Sequence, residues 1–379
     1  MKNIQLDTFA QMKVFEESQV KARIGWQSLT TKEYLKSGDY GLVGGTNLVD
    51  GRIDWESIPY VNKWRYDQDK FIQLQSNDIL ISKDGTIGKI AFVDSLPFPA
   101  TLNSGVYVIR PKGSSYEPSF MYHLLNSYLF EDFIEKLAAG STISHLYQKD
   151  LKNFIVHIPS NLEEQKAIAE ALSDIDNFIS NTKALLIKKK QVISGVKNQI
   201  FSINKNWITE KIGKLARLYQ PETIPAKYFS QVGYPVYGAN GVIGAFSRFN
   251  HDTSQILISC RGNVGTVNFS ESKAWINGNA MVVNIDSNDQ LDKRFFYHLL
   301  AFQDFSKIAT GSGQPQIVRG PLEVFDVNLP NDLAEQQRLG RLLDDLDHEI
   351  SCIGIELNKY QDLKKAAMND LLTGKVRLV

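Results

Sequence analysis

The sequence is poor in several features that mark particular classes of protein. It has two cysteines among 379 residues, Cys260 and Cys352, which excludes a disulfide framework, and it lacks the CxxC and HxxxH spacings typical of metal sites. No apolar run reaches the length of about 18 residues that a membrane-spanning helix needs. The first residues carry no apolar signal core, which predicts a protein of the reducing cytoplasm.

Signatures of the common catalytic classes are also missing. No GxxxxGK[ST] phosphate loop and no GxGxxG nucleotide turn occur, and the Asn/Asp-Pro-Pro-Tyr/Phe element of amino-methyltransferases is absent. Glu164-Gln165-Lys166 has the Glu-x-Lys pattern of a nuclease, but it lies in the first turn of a predicted helix. We therefore predict no catalytic and no metal-binding residues, and a nuclease that uses Glu164 and Lys166 stays as an alternative.

The net charge is zero, because 42 basic residues balance 42 acidic ones. A nucleic-acid-binding protein usually has a basic excess, so this balance argues against tight DNA binding by the chain alone. The hydrophobic fraction of 43% is typical of folded domains, and the length corresponds to two domains or slightly more.

The chain contains an internal repeat. Ile79-Leu80-Ile81-Ser82 recurs 177 residues later as Ile256-Leu257-Ile258-Ser259, and Tyr122-His123-Leu124-Leu125 recurs as Tyr297-His298-Leu299-Leu300. From Phe154/Phe325 onward the offset is steady at 171 residues. Such a constant offset indicates one unit written twice. Each copy begins with short predicted strands and a helical stretch near 119–138 or 292–308, and the repeated His123/His298 pair suggests packed helix residues rather than bases.

Each copy ends in a predicted long helix. Asn161 and Asp332 each lie three residues before a glutamate, which is the pattern of a capping box. The resulting segments are 1–160 (the first head), 161–204, 205–330 (the second head) and 331–379. Apolar residues then recur at heptad spacing and predict a coiled-coil seam: Ile168, Leu172, Ile175, Ile179, Leu186, Ile193, Leu339, Leu343, Leu346, Ile350, Ile353 and Leu357.

The charges along these helices favour antiparallel pairing. The first half of each helix is acidic and the second half is basic, so antiparallel packing places opposite charges side by side. Gly374 after the second helix is predicted to be its C-cap. The sequence therefore predicts an α+β fold, with two globular heads separated by two long antiparallel coiled-coil helices in a pseudo-twofold repeat.

Three polar turns recur in both heads and are candidates for binding. They are 82–89 with 259–266, 103–105 with 277–279, and 140–145 with 311–316. Glycine permits close approach of the backbone to another surface, while Lys, Arg, Thr and Asn donate hydrogen bonds to phosphates or bases. Plain turn chemistry explains the same residues equally well, so both interpretations stay open.

The first head carries about sixteen extra residues within 50–76, where basic and aromatic residues alternate. Arg52, Trp55, Lys63, Trp64 and Arg65 belong to this insertion. It predicts that the two heads have related scaffolds and different binding surfaces. The alternative to a binding surface is that the insertion is a divergent surface loop with a tryptophan packed in the core.

The order of two variable heads and two long helices resembles the specificity subunit of type I restriction–modification systems over essentially the whole chain. The resemblance rests on Gly311-Ser312-Gly313-Gln314-Pro315-Gln316-Ile317 followed by Glu335-Gln336-Gln337-Arg338-Leu339, on Leu371-Leu372-Thr373-Gly374-Lys375, and on the opening Trp207-Ile208-Thr209-Glu210-Lys211-Ile212-Gly213. The first copy is looser, because Ser141-Thr142-Ile143-Ser144-His145 lacks the Gln-Pro of the second.

The resemblance implies a non-catalytic, DNA-reading subunit whose heads are target recognition domains. Each would read one half of a split double-stranded DNA site, and the helices would set the spacer and dock two adenine-N6 methyltransferase subunits. It implies no cofactor in this chain, with S-adenosylmethionine, ATP and magnesium on the methyltransferase and restriction motor-nuclease subunits. A coiled-coil scaffold that binds proteins without DNA specificity is the alternative.

From the polar turns and the insertion we predict the following DNA-binding residues: Arg52, Lys63, Arg65, Lys83, Thr86, Lys89, Asn103, Ser141, Thr142, His145, Asn240, Arg248, Arg261, Asn263, Thr266, Asn277, Asn279, Ser312, Gln314 and Gln316.

Overall fold

The structure is a computed structural model that describes residues 9–138, 145–202, 206–311 and 313–378. It divides into two compact units. The first contains Met1–Asn181 and Leu357–Val379, and the second contains Thr182–Glu356. Each unit therefore combines one head with one half of each long helix, whereas the four segments predicted from sequence separate the heads from the helices.

The first head is a mixed α/β region whose strands are short. Its strands are β1 (Phe9–Lys13), β2 (Ser18–Lys21), β3 (Tyr40–Val43), β4 (Leu48–Val49), β5 (Arg52–Ile53), β6 (Tyr60–Val61), β7 (Ile79–Ser82), β8 (Ile90–Phe92), β9 (Ala100–Leu102), β10 (Val106–Pro111) and β11 (Ile155–Pro159). Its helices are α1 (Lys63–Asp67), α2 (Pro118–Leu125), α3 (Tyr128–Ala138) and α4 (Gln148–Leu151). The long helix α5 (Leu162–Phe201) follows.

The second head has a matching series of elements. Its strands are β12 (Ile208–Lys211), β13 (Arg217–Tyr219), β14 (Tyr234–Gly238), β15 (Gly241–Phe246), β16 (Ile256–Ser259), β17 (Val267–Phe269), β18 (Trp275–Ile276), β19 (Ala280–Asn284) and β20 (Asp326–Leu329). Its helices are α6 (Ile212–Leu215), α7 (Lys293–Phe302) and α8 (Arg319–Glu323), and the long helix α9 (Leu333–Leu372) completes the copy.

Strand pairing repeats between the heads and confirms the internal repeat. The order β2-β10-β7-β8 in the first head matches β13-β19-β16-β17 in the second, and both sheets are antiparallel. The pair β1-β11 matches β12-β20. Strand β3 pairs in parallel with β9, as β14 does with β18. The heads thus share one scaffold.

The predicted strands and helices of the heads are confirmed with one refinement. The two Ile-Leu-Ile-Ser runs are β7 and β16, and every residue in both is buried. These runs are continuous apolar sequence because both faces of the central strands are covered. The helical stretch predicted near 119–138 is two helices, α2 and α3, which Asn126 and Ser127 separate.

The two long helices are confirmed at 40 residues each. At 1.5 Å per residue, each is about 60 Å long. The Asn161 carboxamide oxygen accepts from the N–H of Glu163 at 2.9 Å, and the Asp332 carboxylate accepts from the N–H of Ala334 at 3.0 Å. Both predicted N-cap residues therefore satisfy a free N–H of the first turn.

The glutamates of the predicted capping boxes have other partners in the structure. Glu164 forms an ion pair with Arg377, and the carboxylate of Glu335 accepts from the indole N–H of Trp207 at 3.4 Å. The capping-box interpretation of these two residues is therefore replaced by tertiary contacts. After α9, Gly374 has a φ of +73°, as its predicted C-cap role requires.

Antiparallel pairing of the long helices is confirmed inside each unit. In the first unit Lys364 of α9 pairs with Asp176 of α5 at 2.6 Å. In the second, Lys197 of α5 pairs with Asp347 of α9 at 2.8 Å. Basic ends therefore contact acidic beginnings, as the charge pattern predicts. The predicted seam residues are all buried or partly buried: Ile168, Leu172, Ile175, Ile179, Leu186, Ile193, Leu339, Leu343, Leu346, Ile350, Ile353 and Leu357.

The ends of the helices belong to the hydrophobic cores of the heads. Ile168 and Leu172 from the beginning of α5, and Leu371 from the end of α9, lie in the core of the first unit. Leu343 from the beginning of α9 and Phe201 from the end of α5 lie in the core of the second unit. Each head is therefore anchored to both helices by burial of apolar surface.

A repeated buried glutamine attaches each long helix to its head. The Gln165 side chain donates to the Pro159 carbonyl at 2.7 Å and accepts from the N–H of Glu117 at 2.8 Å. Gln336 donates to the Pro330 carbonyl at 2.8 Å and accepts from the N–H of Asp292 at 2.9 Å. The repeated Glu-Gln pair of the sequence thus has a structural role in both copies.

We expect the substitution Gln336→Leu to lower the free energy of unfolding by about 2 kcal/mol. Leucine keeps the volume but leaves the Pro330 carbonyl and the Asp292 N–H without their bonds to the side chain. Gln337→Leu is the matched control, because its side chain is exposed in the same helical turn. Chemical denaturation measures both, and equal losses for the two variants would contradict the role of Gln336.

The repeated histidines are packed against the long helices. His123 and His298 are 0% and 2% exposed. His123 Nε2 lies 3.0 Å from the Ser173 hydroxyl, and His298 Nε2 lies 2.7 Å from the carboxylate of Asp344. Burial lowers the pKa of His123 to about 4, and burial also lowers that of His298. Their burial favours the packed-residue interpretation over a catalytic base.

The neutral state of His123 predicts a pH dependence of stability. An unfolded histidine binds a proton near pH 6.5, whereas the folded one stays neutral down to a pKa of about 4. The unfolded chain therefore binds more protons than the folded one between these pH values. The free energy of unfolding should fall by up to about 3 kcal/mol as the pH drops through this range.

His123→Gln should remove this contribution, so the stability difference between wild type and variant should shrink from pH 7 to pH 4.5. His157→Gln, at an exposed position of β11, is the matched control. Parallel profiles for wild type and His123→Gln would contradict the prediction.

Candidate nucleic-acid interface

Each head presents one glycine-containing hairpin at the end of its central sheet. In the first head the N–H of Ser82 donates to the Lys89 carbonyl at 2.9 Å, and in the second the N–H of Ser259 donates to the Thr266 carbonyl at 2.8 Å. Gly85 and its equivalent Gly262 have φ values of +70° and +76°. This left-handed conformation favours glycine and explains why the repeat retains it there.

In the first head the hairpin joins the two other polar turns. The N–H of Lys83 donates to the Gly105 carbonyl at 2.9 Å, and the Lys83 carbonyl accepts from the N–H of Leu146 at 2.9 Å. Residues 82–89, 103–105 and 145–146 thus form one connected surface, which we call tip cluster 1. Turns that are tens of residues apart in sequence meet here.

The second head repeats this arrangement at equivalent backbone atoms. The N–H of Cys260 donates to the Asn279 carbonyl at 3.1 Å, and the Cys260 carbonyl accepts from the N–H of Ile317 at 3.1 Å. Asn268 donates through its side chain to the Ala239 carbonyl at 3.3 Å, which brings the turn at 239–240 to the same place. Residues 239–240, 259–266, 277–279 and 316–317 form tip cluster 2.

The predicted residues of tip cluster 1 differ in how free they are to bind. Thr86 is exposed, whereas Lys83 is half-buried with its ammonium 5.3 Å from the centre of the Tyr107 ring. Lys89 is half-buried, and the Asn103 side chain donates to the Tyr34 hydroxyl at 2.8 Å. Nδ1 of His145 forms a hydrogen bond with the carboxylate of Asp84.

The predicted residues of tip cluster 2 are mostly exposed. Exposed members are Asn240, Arg261, Asn263, Thr266 and Asn279. Gln316 is half-buried, and its backbone pairs with that of Thr310. Gln314 is exposed in the neighbouring loop, and Arg248 is exposed in the loop after β15.

Asn277 has a structural position. Its side chain is 3% exposed, and its oxygen accepts from the N–H of Ile224 at 3.0 Å and from the indole of Trp275 at 3.0 Å. These bonds hold the turn, which argues against direct contact of this side chain with a ligand. Turn chemistry, one of the two interpretations of this motif, accounts for Asn277.

The basic residues of the insertion form hydrogen bonds or ion pairs within the first unit. Arg52 donates to the Asn177 side chain of α5 at 3.2 Å, and Lys63 pairs with Asp67 one turn along α1. Arg65 is largely buried and pairs with Glu33 at 2.5 Å. Contacts within the protein therefore explain these three predicted residues.

The two tryptophans of the insertion lie in different environments. Trp55 packs edge-on against Phe98, with ring centres 5.7 Å apart, in a hydrophobic core of the first head. Trp64 is 63% exposed, and the guanidinium of Arg65 lies 4.6 Å from its ring centre. The core interpretation fits Trp55, and a binding surface fits only Trp64.

Three predicted residues, Ser141, Thr142 and Ser312, lie outside the described residues. Conversely, the structure places Asp84 in tip cluster 1, although it is absent from the predicted set. The repeat alignment could have identified it, because Asp84 is equivalent to Arg261 at the offset of 177 residues.

Burial argues against a reactive centre at Cys260 and at the Glu-x-Lys pattern. Both cysteines are free thiols, and burial raises the pKa of Cys260. Glu164 is 1% exposed and pairs with Arg377, so its carboxylate is not positioned to hold a metal ion. Within the described ranges, no three His, Cys, Asp or Glu side chains cluster as metal ligands, and no helix has the length and apolar character to cross a membrane.

Comparison with known proteins gives one consistent family. The family model described as the type I restriction modification DNA specificity domain matches residues 21–190 and 204–364. The type I restriction enzyme MjaVIII specificity subunit of Methanocaldococcus jannaschii is 25% identical over 93% of each chain. The EcoprrI specificity subunit of Escherichia coli is 24% identical, over 84% of this chain and 83% of that protein.

Solved structures agree with the fold. The S subunit of a type I restriction-modification system from M. genitalium has a TM-score of 0.71 and 18% identity, with 98% of both chains covered. A chain from a structure of type I R-M complex assembly and conformational transition has a TM-score of 0.55 and 15% identity, covering 98% of this chain and 99% of that one. The chain, with its two matched copies of the domain, therefore belongs to the specificity subunits of type I restriction–modification systems.

Proposed function

We propose that this chain reads a split, asymmetric DNA site and has no catalytic activity of its own. One target recognition domain would read each half of the site with its tip cluster. The observation that carries the proposal is that both clusters share one set of backbone hydrogen bonds and differ in their side chains. A shared frame with different side chains suits the reading of two different sequences.

The side chains at equivalent positions differ in charge and in hydrogen-bonding capacity. Lys83, Asp84, Thr86 and Lys89 of the first head correspond to Cys260, Arg261, Asn263 and Thr266 of the second. Direct reading of bases depends on the pattern of donors and acceptors, so these two sets select different bases. A homodimer reads a palindrome, whereas two unlike heads in one chain read an asymmetric site.

The long helices would set the distance between the half-sites and dock two adenine-N6 methyltransferase subunits. Support comes from apolar side chains that remain exposed on both helices, including Phe178, Ile187, Val192, Ile355 and Leu363, each at least half exposed. Exposed apolar surface of this kind is typical of a protein interface. In the cytoplasm, the methyltransferases would hold S-adenosylmethionine, and restriction motor-nuclease subunits would use ATP and magnesium.

Mapping of methylated adenines tests this function directly. The chain is co-expressed with its methyltransferase partner in a host that lacks adenine methylation at other sites, and the genome is sequenced for N6-methyladenine. We expect a two-part motif with a spacer of unspecified bases. A contiguous motif would contradict the bipartite reading, and unmethylated DNA with an intact complex would favour a protein scaffold.

We expect the isolated chain to bind DNA weakly. The first head has 17 basic and 18 acidic residues within 1–160, and the second has 12 and 10 within 205–330. Contacts between basic residues and DNA phosphates supply most of the salt-dependent affinity. Because neither head has a large basic excess, the methyltransferase partners would provide many of these phosphate contacts. Fluorescence anisotropy with a cognate duplex should show a large gain in affinity on addition of the partner. Tight, salt-resistant binding by the chain alone would contradict this.

A further inference from the structure

The two tip clusters carry opposite charges at one equivalent position. Asp84 follows Lys83 and Arg261 follows Cys260, the residues whose backbones join the turns of each cluster. Each also precedes a glycine with positive φ, Gly85 or Gly262. The guanidinium of Arg261 can only donate hydrogen bonds, whereas the carboxylate of Asp84 can only accept them. The repeat therefore places side chains of opposite charge and opposite hydrogen-bonding capacity at equivalent positions of the two heads.

A carboxylate in this place is not explained by phosphate binding. DNA phosphates are acceptors with negative charge, so they repel Asp84 and gain nothing from it. Turn formation does not explain the side chain either. Among the described contacts, its partner is the imidazole of His145, and no N–H of the 82–89 turn donates to the carboxylate.

The carboxylate is held in position and remains reachable. Nδ1 of His145 donates to one oxygen of Asp84, and the backbones of these two residues form a β-bridge. The Asp84 side chain is 42% exposed, so the carboxylate remains accessible to a ligand. The Tyr147 ring packs against His145, with ring centres 4.6 Å apart, and restrains the imidazole.

We propose that Asp84 determines specificity in the first half-site by accepting a hydrogen bond from an exocyclic amino group in the major groove. That group is N4 of cytosine or N6 of adenine, the amino donors that the major groove presents. Guanine and thymine offer acceptors there and are rejected. His145 is a positioning residue that orients the carboxylate. The inference rests on the proposed function of tip cluster 1.

Methylation mapping with Asp84→Ala and Asp84→Ser tests the assignment in the complete complex. Both variants remove the negative charge and the carboxylate acceptor. We expect one position of the first half-site to lose about tenfold or more of its base preference, with the second half-site unchanged. Binding to non-cognate DNA should strengthen because the repulsion of phosphates is removed. Asp94→Asn, an exposed position beyond the other end of β8, is the matched control.

Duplexes that contain a base analogue without the exocyclic amino group identify the base that Asp84 contacts. At the affected position, 2-pyrimidinone replaces cytosine or purine replaces adenine, so that the amino group alone is missing. Wild-type complex should lose about tenfold or more in affinity for the analogue, whereas Asp84→Ser should bind both duplexes equally. His145→Gln, which keeps a donor for the carboxylate, should retain the base preference that His145→Ala loses.

Failure of this inference is separable from failure of the proposed function. A wild-type bipartite motif that Asp84→Ser leaves unchanged at every position would overturn the role of Asp84 alone. Equal sensitivity of wild type and Asp84→Ser to the analogue would overturn it too. Absence of any motif with the wild-type complex would instead overturn the proposed reading of DNA.

Discussion

Removal of seven residues from the middle of each long helix is expected to shorten the spacer of the methylated motif by up to about three base pairs while both half-sites stay the same. The deleted segments are 182–188 in α5 and 353–359 in α9, which are equivalent in the repeat. Seven residues correspond to about 10 Å of helix, and B-DNA rises by about 3.4 Å per base pair. A full heptad also preserves the face that each helix buries.

The ion pairs of each unit lie outside the deleted segments and should survive. Lys364 and Asp176 flank the deletion on one side, and Lys197 and Asp347 flank it on the other. A deletion confined to 182–188 is the control, because one shortened helix cannot keep both pairs in register, and we expect it to lose methylation. Sequencing of methylated adenines determines the motif for the wild type, the double deletion and the deletion of 182–188 alone. Altered half-site bases in the double deletion, or an unchanged spacer, would contradict the idea that the helices set the distance.

The double substitution Arg261→Ala/Asn263→Ala is expected to weaken recognition of the second half-site by about 100-fold. Both side chains are exposed in tip cluster 2, and each bidentate contact to a base contributes about 1–3 kcal/mol of discrimination. The hairpin itself should persist, because backbone bonds of Ser259 and the glycines hold it. Methylation of half-site variants by the complex separates loss of the second half-site from loss of the first.

Arg217→Ala/Asn331→Ala provides the matched control for this prediction. Both side chains are exposed in the second unit and lie outside tip cluster 2. Loss of one arginine and one asparagine there should leave the motif intact. Unchanged affinity and methylation in Arg261→Ala/Asn263→Ala would place the DNA on another surface of that head.

The paired architecture could be predicted from sequence because a repeat fixes which positions share an environment. Matching runs such as Ile79–Ser82 and Ile256–Ser259 occupy the same central strand in both heads. The charge gradient along each helix likewise predicted antiparallel pairing, since opposite halves must neutralise one another. These are properties of whole segments, and they survive divergence of individual side chains.

The candidate site could be predicted only in part, because its geometry depends on contacts between distant residues. Arg65 is of a residue type that commonly contacts DNA, but it pairs with Glu33, which lies 32 residues away. No pattern in the sequence near Arg65 indicates this pair. Asp84 precedes a glycine, which is an ordinary turn signal, and its importance appears only when His145 is beside it. Glu164 shows the same limit, since the capping-box pattern is local and its partner Arg377 is not.

The discontinuous first unit has a consequence for the order in which the protein matures on the ribosome. Met368, Leu371 and Leu372 are buried in the core that contains Phe15 and Val20. The ribosome makes Phe15 and Val20 before the second unit, and it makes these three side chains after that unit. The second unit is continuous from Thr182 to Glu356 and can close earlier. The first head is therefore expected to complete its core after the second unit, and until then its apolar surface needs protection from aggregation.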